Sequence, residues 1–150
     1  MPEQTFALAV LSPQGVVFRG AAKAVSLPTP AGKITVLARH APLVAALADG
    51  EIHVATADGN LTIAVAGGFV EVAGNEVTVL SDYAAEAESI EIARVEAAKK
   101  RAEDLLKEKV ERRDLALVER DLRRAILQLK VAEKARKRRE RPMEEPRHGA

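Results

Sequence analysis

The chain has 150 residues and a formal net charge of +1 at pH 7, so its length predicts one or two small domains. It contains no cysteine, which excludes disulfide bonds and thiolate chemistry. No apolar run approaches the roughly 20 residues that span a bilayer, and no basic leader precedes an apolar stretch at the N-terminus. We therefore expect a soluble cytoplasmic chain that reaches a membrane only through a protein partner.

The charge distribution divides the chain into two regions near Tyr83. Residues 1–84 carry four Lys or Arg and seven Asp or Glu, whereas residues 85–150 carry 19 Lys or Arg and 15 Asp or Glu. All four aromatic residues and eight of the nine glycines lie in the first region. We predict a β domain over 1–84, a helical arm over 85–140, a disordered tail over 141–150, and a hinge at Ser81–Glu88.

Short apolar runs separated by turn residues predict β-strands in the first region. The runs are Phe6–Leu11, Ala22–Leu27, Lys33–Leu37, Glu51–Thr56, Leu61–Val65, Phe69–Val72 and Glu76–Leu80. Asp58-Gly59 and Ala73-Gly74-Asn75 are hairpin signals, so the series favours a β-sandwich or a flattened barrel. Gly67-Gly68 interrupts a strand-like stretch and indicates a bulge or a close backbone approach.

We find no catalytic or metal-binding constellation in this region. The three histidines are scattered, and a set such as Ser26, His40 and Asp49 arises in any chain by chance. No glycine-rich loop lies between a strand and a helix, and the few aromatic residues offer no stacking platform for nucleic acid. The sequence therefore predicts a binding or structural protein, without a catalytic residue, a metal or a nucleic-acid partner.

The second region has helical periodicity. Between Ser89 and Pro142 there is no glycine or proline, and Ser89 and Asp114 are candidate N-caps of two helices. Apolar residues of the second helix recur at steps of three and four: Leu115, Val118, Leu122, Ala125, Ile126, Leu129 and Ala132. This pattern predicts two antiparallel helices joined by a polar turn.

The helices are predicted to be stable individually but loosely associated. Glu precedes Lys or Arg by four residues in five pairs, each worth perhaps 0.2–0.5 kcal/mol. These pairs are Glu96–Lys100, Glu103–Lys107, Glu108–Arg112, Glu119–Arg123 and Glu133–Lys137. The first helix offers mostly alanines to the seam, and alanine buries little apolar area. We therefore expect an arm that can fold back or extend.

The run Lys134–Arg139 is strongly basic. It fits a solvated helix end, where cations complement the helix dipole, and it equally fits a docking site for an acidic protein surface. RNA or anionic lipid is a third alternative.

Three segments resemble the epsilon-subunit family of bacterial F-type ATP synthases. Gly32–Leu43 (GKITVLARHAPL) resembles the family's Gly-Glu-x-x-x-hydrophobic-Pro-Gly-His-Ala-Pro-Leu. Gly67–Val72 with Asn75–Leu80 resembles its Gly-Gly-Phe-x-Glu-Val and Val-Thr-Val-Leu, and Asp121–Val131 resembles its second C-terminal helix. The resemblance covers about Phe6 to Arg139.

This resemblance implies a ten-stranded β-sandwich followed by an antiparallel two-helix hairpin. It implies a non-catalytic rotor subunit, bound to the gamma subunit and the c ring at the cytoplasmic face of the cell membrane. There it would take part in coupling proton flow to ATP synthesis. The hairpin in this family can extend along gamma toward the catalytic alpha and beta subunits and hinder ATP hydrolysis. The residue-based alternative is an unrelated sandwich module whose basic arm binds RNA or an acidic protein.

The matching motifs also suggest site residues. Lys33, His40 and Pro42 occupy positions implied to contact rotor partners, although Lys33 replaces an acidic residue and Ala38-Arg39 replaces Pro-Gly. His40 fits a hydrogen-bonded loop residue equally well.

No cofactor is required, but some family members bind regulatory ATP through Ile-Asp-x-x-Arg-Ala and further arginines on the hairpin. Here the stretch is Ile90–Val95 (IEIARV), which departs from that motif at Glu91 and Val95. The candidate ATP residues are Ile90, Glu91, Arg94 and Arg101. Arg123 or Arg124 could join them from the second helix, and Arg124 is taken as the fifth candidate.

Overall fold

The computed structural model describes residues 4–108 and 112–140, and the chain forms two compact units, Met1–Ile90 and Glu91–Ala150. Among these residues, none of the helices combines the length and the apolar character that crossing a bilayer requires.

Ten strands form the first unit. They are β1 (Phe6–Ser12), β2 (Gly15–Ala22), β3 (Ala24–Thr29), β4 (Gly32–Leu37), β5 (Leu43–Ala46), β6 (Gly50–Thr56), β7 (Gly59–Ala66), β8 (Phe69–Ala73), β9 (Glu76–Leu80) and β10 (Tyr83–Glu86). The first sheet has the order β2-β1-β9-β8-β5 and the second β10-β7-β6-β3-β4. The prediction of a ten-stranded β-sandwich is confirmed.

Alternating apolar residues on both sheets form one core between them. Leu8, Val10 and Val79 of the first sheet and Ile52 and Ile63 of the second are among its buried side chains. Because side chains alternate along a strand, the residues between these positions lie on the outer faces. The strand pairings are antiparallel except that of β1 with β9, which is parallel from Ala7↔Glu76 to Leu11↔Leu80.

The structure corrects the predicted hinge. Tyr83–Glu86 has a partner, since it pairs antiparallel with β7 from Tyr83↔Ala66 to Glu86↔Ile63. A short 3₁₀ turn (Ala87–Ser89) follows, with Ala87 buried. The predicted boundary after residue 84 therefore falls inside β10, whereas the first compact unit continues to Ile90.

Two helices form the second unit: α1 (Ile92–Lys107) and α2 (Arg112–Glu140). Ser89 is not the N-cap of α1, because its hydroxyl donates to the carbonyl of Glu86 at 2.7 Å and closes the preceding turn. Glu91 is the N-cap residue instead and makes no side-chain capping bond. α2 begins before Asp114, which lies in its first turn. The predicted tail over 141–150 lies outside the described residues.

Candidate functional site

The outer face of the first sheet carries a continuous apolar row. Cross-strand partners run Ala46↔Phe69, Phe69↔Leu80, Leu80↔Leu11 and Leu11↔Val16. We call these five residues, one from each strand, the apolar row. Phe69 is 60% exposed and Leu80 54%. Val44 of β5, beside the row, is 71% exposed. A contiguous apolar patch of this kind on a folded domain is typical of a protein-binding surface.

A depression of about 460 Å³ adjoins the row at one end of the sheet. Leu11, Phe69 and Leu80 line it together with Pro13 and Gly68. A Cβ atom on Gly68 would overlap the carbonyl group of Leu80 and lie 2.7 Å from the Cα of Ser81. The close backbone approach predicted for Gly67-Gly68 is thereby confirmed, and Gly68 lines the depression.

Lys33, His40 and Pro42 are all exposed, but they do not lie together. Lys33 is near the start of β4, and His40 and Pro42 lie in the loop that follows its end. At about 3.3 Å per residue, the four steps from Lys33 to Leu37 already separate them by roughly 13 Å. Lys33 therefore lies near one end of β4, and His40 and Pro42 lie beyond the other end.

The loop over residues 38–42, which we call the β4–β5 loop, is held by hydrogen bonds. The Arg39 N–H donates to Asn75 Oδ1 at 2.7 Å, and the His40 N–H donates to the carbonyl of Leu37 at 3.2 Å. His40 Nδ1 lies 2.6 Å from the Ala41 carbonyl oxygen, so His40 is both hydrogen-bonded and exposed. The geometry of His40 is compatible with both predictions from the sequence, a contact with a rotor partner and a hydrogen-bonded loop residue.

A groove of about 400 Å³ lies between α1 and α2. Arg101 of α1 and Arg124 of α2 both line it, so two of the five candidate ATP residues are brought together. Asp121 also lines the groove and offsets part of their positive charge. Ala102 and Ala125, both buried, lie on its walls and confirm the predicted alanine-rich seam.

The other three candidate ATP residues are not among those that line the groove. Arg94 is exposed on α1, about 10 Å along the axis from Arg101. Glu91 occupies the N-cap position of α1, and Ile90 is the last residue of the first unit.

A polar row on the second sheet was missed by the sequence analysis. His53 Nδ1 lies 3.3 Å from Thr62 Oγ1, and its Nε2 lies 3.2 Å from Glu51 Oε2. Ser26 is the cross-strand partner of His53 and extends the row, and its hydroxyl is hydrogen-bonded to Thr35 Oγ1 at 2.9 Å. Period-2 alternation places these residues on one face, but it does not reveal their contacts. Within the described ranges, no three His, Cys, Asp or Glu side chains are grouped to hold a metal ion.

Comparison with known proteins matches both units. The family described as "ATP synthase, Delta/Epsilon chain, beta-sandwich domain" matches residues 5–87, and "ATP synthase, Delta/Epsilon chain, long alpha-helix domain" matches 88–133. The ATP synthase epsilon chain of Desulfitobacterium hafniense (strain Y51) is 41% identical, over 85% of this chain and 96% of the relative. The ATP synthase epsilon chain of Endomicrobium trichonymphae is 34% identical, over 83% of this chain and 91% of the relative.

Solved structures of ATP synthases include chains with a similar fold. A chain in the Euglena gracilis mitochondrial ATP synthase (OSCP/F1/c-ring) superposes with a TM-score of 0.60 at 20% identity. The match covers 92% of this chain and 82% of the other.

Proposed function

The chain belongs to the delta/epsilon family of ATP synthase subunits, and from that premise we propose that it is a non-catalytic rotor subunit of the central stalk. The sandwich binds the gamma subunit and rests on the c ring, so that proton flow is coupled to ATP synthesis. The helical arm acts on the alpha and beta subunits and hinders ATP hydrolysis. The chain is held at the cytoplasmic face of the cell membrane through this complex. An unrelated RNA-binding module has no support once the family is known.

The apolar row is the observation that carries the docking proposal. Phe69 and Leu80 neighbour each other across β8 and β9 and are both more than half exposed. Burying apolar surface yields about 25 cal/mol per Å², so this face gains free energy when a partner covers it. We assign the apolar row to gamma. Because Lys33 and the β4–β5 loop lie at opposite ends of β4, they fit contacts with two different rotor partners.

Charge substitution in the apolar row tests the assignment. Phe69→Glu should weaken binding to the purified gamma subunit at least about tenfold, because buried aromatic anchors dominate interface energies. Leu117→Glu is the matched control, since Leu117 is 50% exposed but lies on α2, outside the sandwich. Neither substitution touches the core, so thermal unfolding should change little. Equal loss of gamma binding in both variants, or in neither, would contradict the assignment.

Regulatory ATP is a second proposal, which concerns the arm. It is supported by the groove that places Arg101 and Arg124 on facing helices, where guanidinium groups can bind phosphate oxygens. Binding there would join α1 to α2 and favour the folded-back arm.

Calorimetry with Mg-ATP tests this second proposal. Arg124→Gln should abolish the heat of binding, whereas Arg123→Gln should retain it, because Arg123 is exposed and is not a lining residue of the groove. If the unaltered chain shows no heat of binding, the arm does not bind ATP and its regulatory action needs another trigger.

A further inference from the structure

We infer that Asn75 is the residue that positions the β4–β5 loop for partner binding. The inference rests on the proposed function, which makes that loop a rotor contact, and it takes gamma as the partner that the loop contacts. Asn75 lies in the turn between β8 and β9. Its side chain reaches two segments that are remote in sequence.

The side-chain amide of Asn75 is bonded through both of its polar atoms. Oδ1 accepts the N–H of Arg39 at 2.7 Å, and Nδ2 donates to the carbonyl of Thr5 at 2.9 Å. The backbone carbonyl of Asn75 also accepts the N–H of Ala7 at 3.2 Å. One residue therefore joins the β4–β5 loop, the segment that precedes β1 and the β8–β9 turn.

The turn between β8 and β9 favours asparagine at position 75. Gly74 and Asn75 have φ values of 57° and 60°, as expected of a two-residue hairpin turn in which both central residues are left-handed. Asparagine tolerates this conformation and offers a donor and an acceptor on a short side chain. Aspartate tolerates it but offers acceptors only, and glycine tolerates it without a side chain.

The loop depends on the bond that Asn75 supplies. Arg39 has a φ of 62°, a conformation that is unfavourable for a residue with a Cβ atom. Arg39, His40, Ala41 and Pro42 are all exposed, so core packing does not fix them. The bond from the Arg39 N–H to Asn75 lies at the strained residue itself and opposes its relaxation. Loss of that bond should let the loop sample other conformations and reduce the fraction that matches the partner.

Two substitutions at residue 75 separate the contributions. Asn75→Gly keeps the left-handed turn but removes the whole amide. Asn75→Asp keeps the turn and the acceptor for Arg39, and it replaces the donor to Thr5 with a carboxylate oxygen that faces the Thr5 carbonyl. Asn60→Gly is the control, because Asn60 is an exposed asparagine beside the β6–β7 turn. All three are made in the full chain, and circular dichroism checks that each remains folded.

The measurements are amide hydrogen exchange at Arg39 and affinity for purified gamma. In Asn75→Gly we expect Arg39 exchange to accelerate, and gamma affinity to fall, by about fivefold to tenfold each, as expected for the loss of one hydrogen bond. Asn75→Asp should retain both values within about twofold, since the acceptor for Arg39 persists. Asn60→Gly should match the unaltered chain in both.

The two measurements distinguish the possible failures. Unchanged Arg39 exchange in Asn75→Gly would overturn the inference, and so would an Asp variant as defective as the Gly variant. Faster exchange with unchanged gamma affinity would overturn the link to partner binding. If the unaltered chain itself does not bind gamma, the proposed function fails, and the link between the loop and partner binding fails with it. In that case, hydrogen exchange at Arg39 still decides whether Asn75 holds the loop.

Discussion

The hydroxyl of Ser81 donates to the carbonyl of Gly67 over 2.8 Å, which ties the β9–β10 junction to the β7–β8 junction. The same hydroxyl lies 3.1 Å from the carbonyl oxygen of Ala66 and 2.7 Å from that of Tyr83. Its one proton can therefore serve any of three acceptors. Ser81 is only 5% exposed, so solvent offers a poor substitute for this hydroxyl.

We expect Ser81→Ala to lower the free energy of unfolding by about 1–3 kcal/mol, because three partly buried carbonyl groups lose the hydroxyl that can donate to them. Urea unfolding followed by circular dichroism measures the change. Ser12→Ala is the control, since Ser12 lies at the same end of the sandwich and its hydroxyl makes an exposed bond to Gln14. Equal losses in the two variants would mean that the carbonyl cluster contributes nothing beyond an ordinary surface bond.

Alanine substitutions at Gly32 and Gly68 distinguish the cost of backbone strain from the cost of steric overlap. Gly32 has a φ of 124° with nothing within 4 Å of a Cβ atom, whereas Gly68 has a φ of 107° and would overlap Leu80. We expect Gly32→Ala to cost about 1–2 kcal/mol of unfolding free energy, from the left-handed backbone alone. Gly68→Ala should cost more than about 4 kcal/mol or prevent folding. Similar unfolding midpoints for both variants would show that the β9–β10 junction can move aside.

Fragments that end at different residues test the domain boundary. A chain that ends at Ile90 should unfold cooperatively, because the whole core cluster lies within the first unit. A chain that ends at residue 84 loses the Ala85↔Ala64 and Glu86↔Ile63 pairings and the buried Ala87, and we expect it to be less stable by about 1–3 kcal/mol. Coincident urea curves would instead favour the boundary after residue 84.

Removal of the arm tests its proposed regulatory role. In a reconstituted synthase, the chain that ends at Ile90 should still assemble with gamma, because the apolar row is intact. ATP hydrolysis by that complex should rise above the rate with the full chain. Normal assembly with an unchanged rate would remove the inhibitory role from the arm, whereas failed assembly would place part of the docking surface beyond Ile90.

Periodicity predicted most of the fold. The seven apolar runs correspond to seven of the ten strands, and the steps of three and four in Leu115–Ala132 correspond to α2. The apolar runs did not indicate the other three strands, β2, β5 and β10. β10 reads Tyr-Ala-Ala-Glu, which has no alternation, and its pairing with β7 is a tertiary contact that local pattern does not contain. The prediction that Ser89 is the N-cap of the first helix was wrong, because a serine hydroxyl can close a 3₁₀ turn as readily as it can cap a helix.

The candidate sites were less predictable than the fold. Phe69 and Leu80 appeared in the sequence only as strand residues, since alternation separates two faces without telling which one a partner covers. The link between Asn75 and Arg39 spans 36 residues and has no local signal. Arg101 and Arg124 could be grouped from the resemblance, but their groove exists only once the two helices pack.

The parallel pairing of β1 with β9 has a consequence for synthesis of the chain. Thr5 and Asn75, which flank that pairing, are 70 residues apart. At 5–20 residues per second, a ribosome needs roughly 4–14 s to cover that distance. During this interval the nascent β1 has β2 on one side and an open edge on the other, and such edges invite pairing with other chains. We therefore expect ribosome-bound chains that end before Glu76 to depend on chaperones, and longer ones to close the sheet themselves.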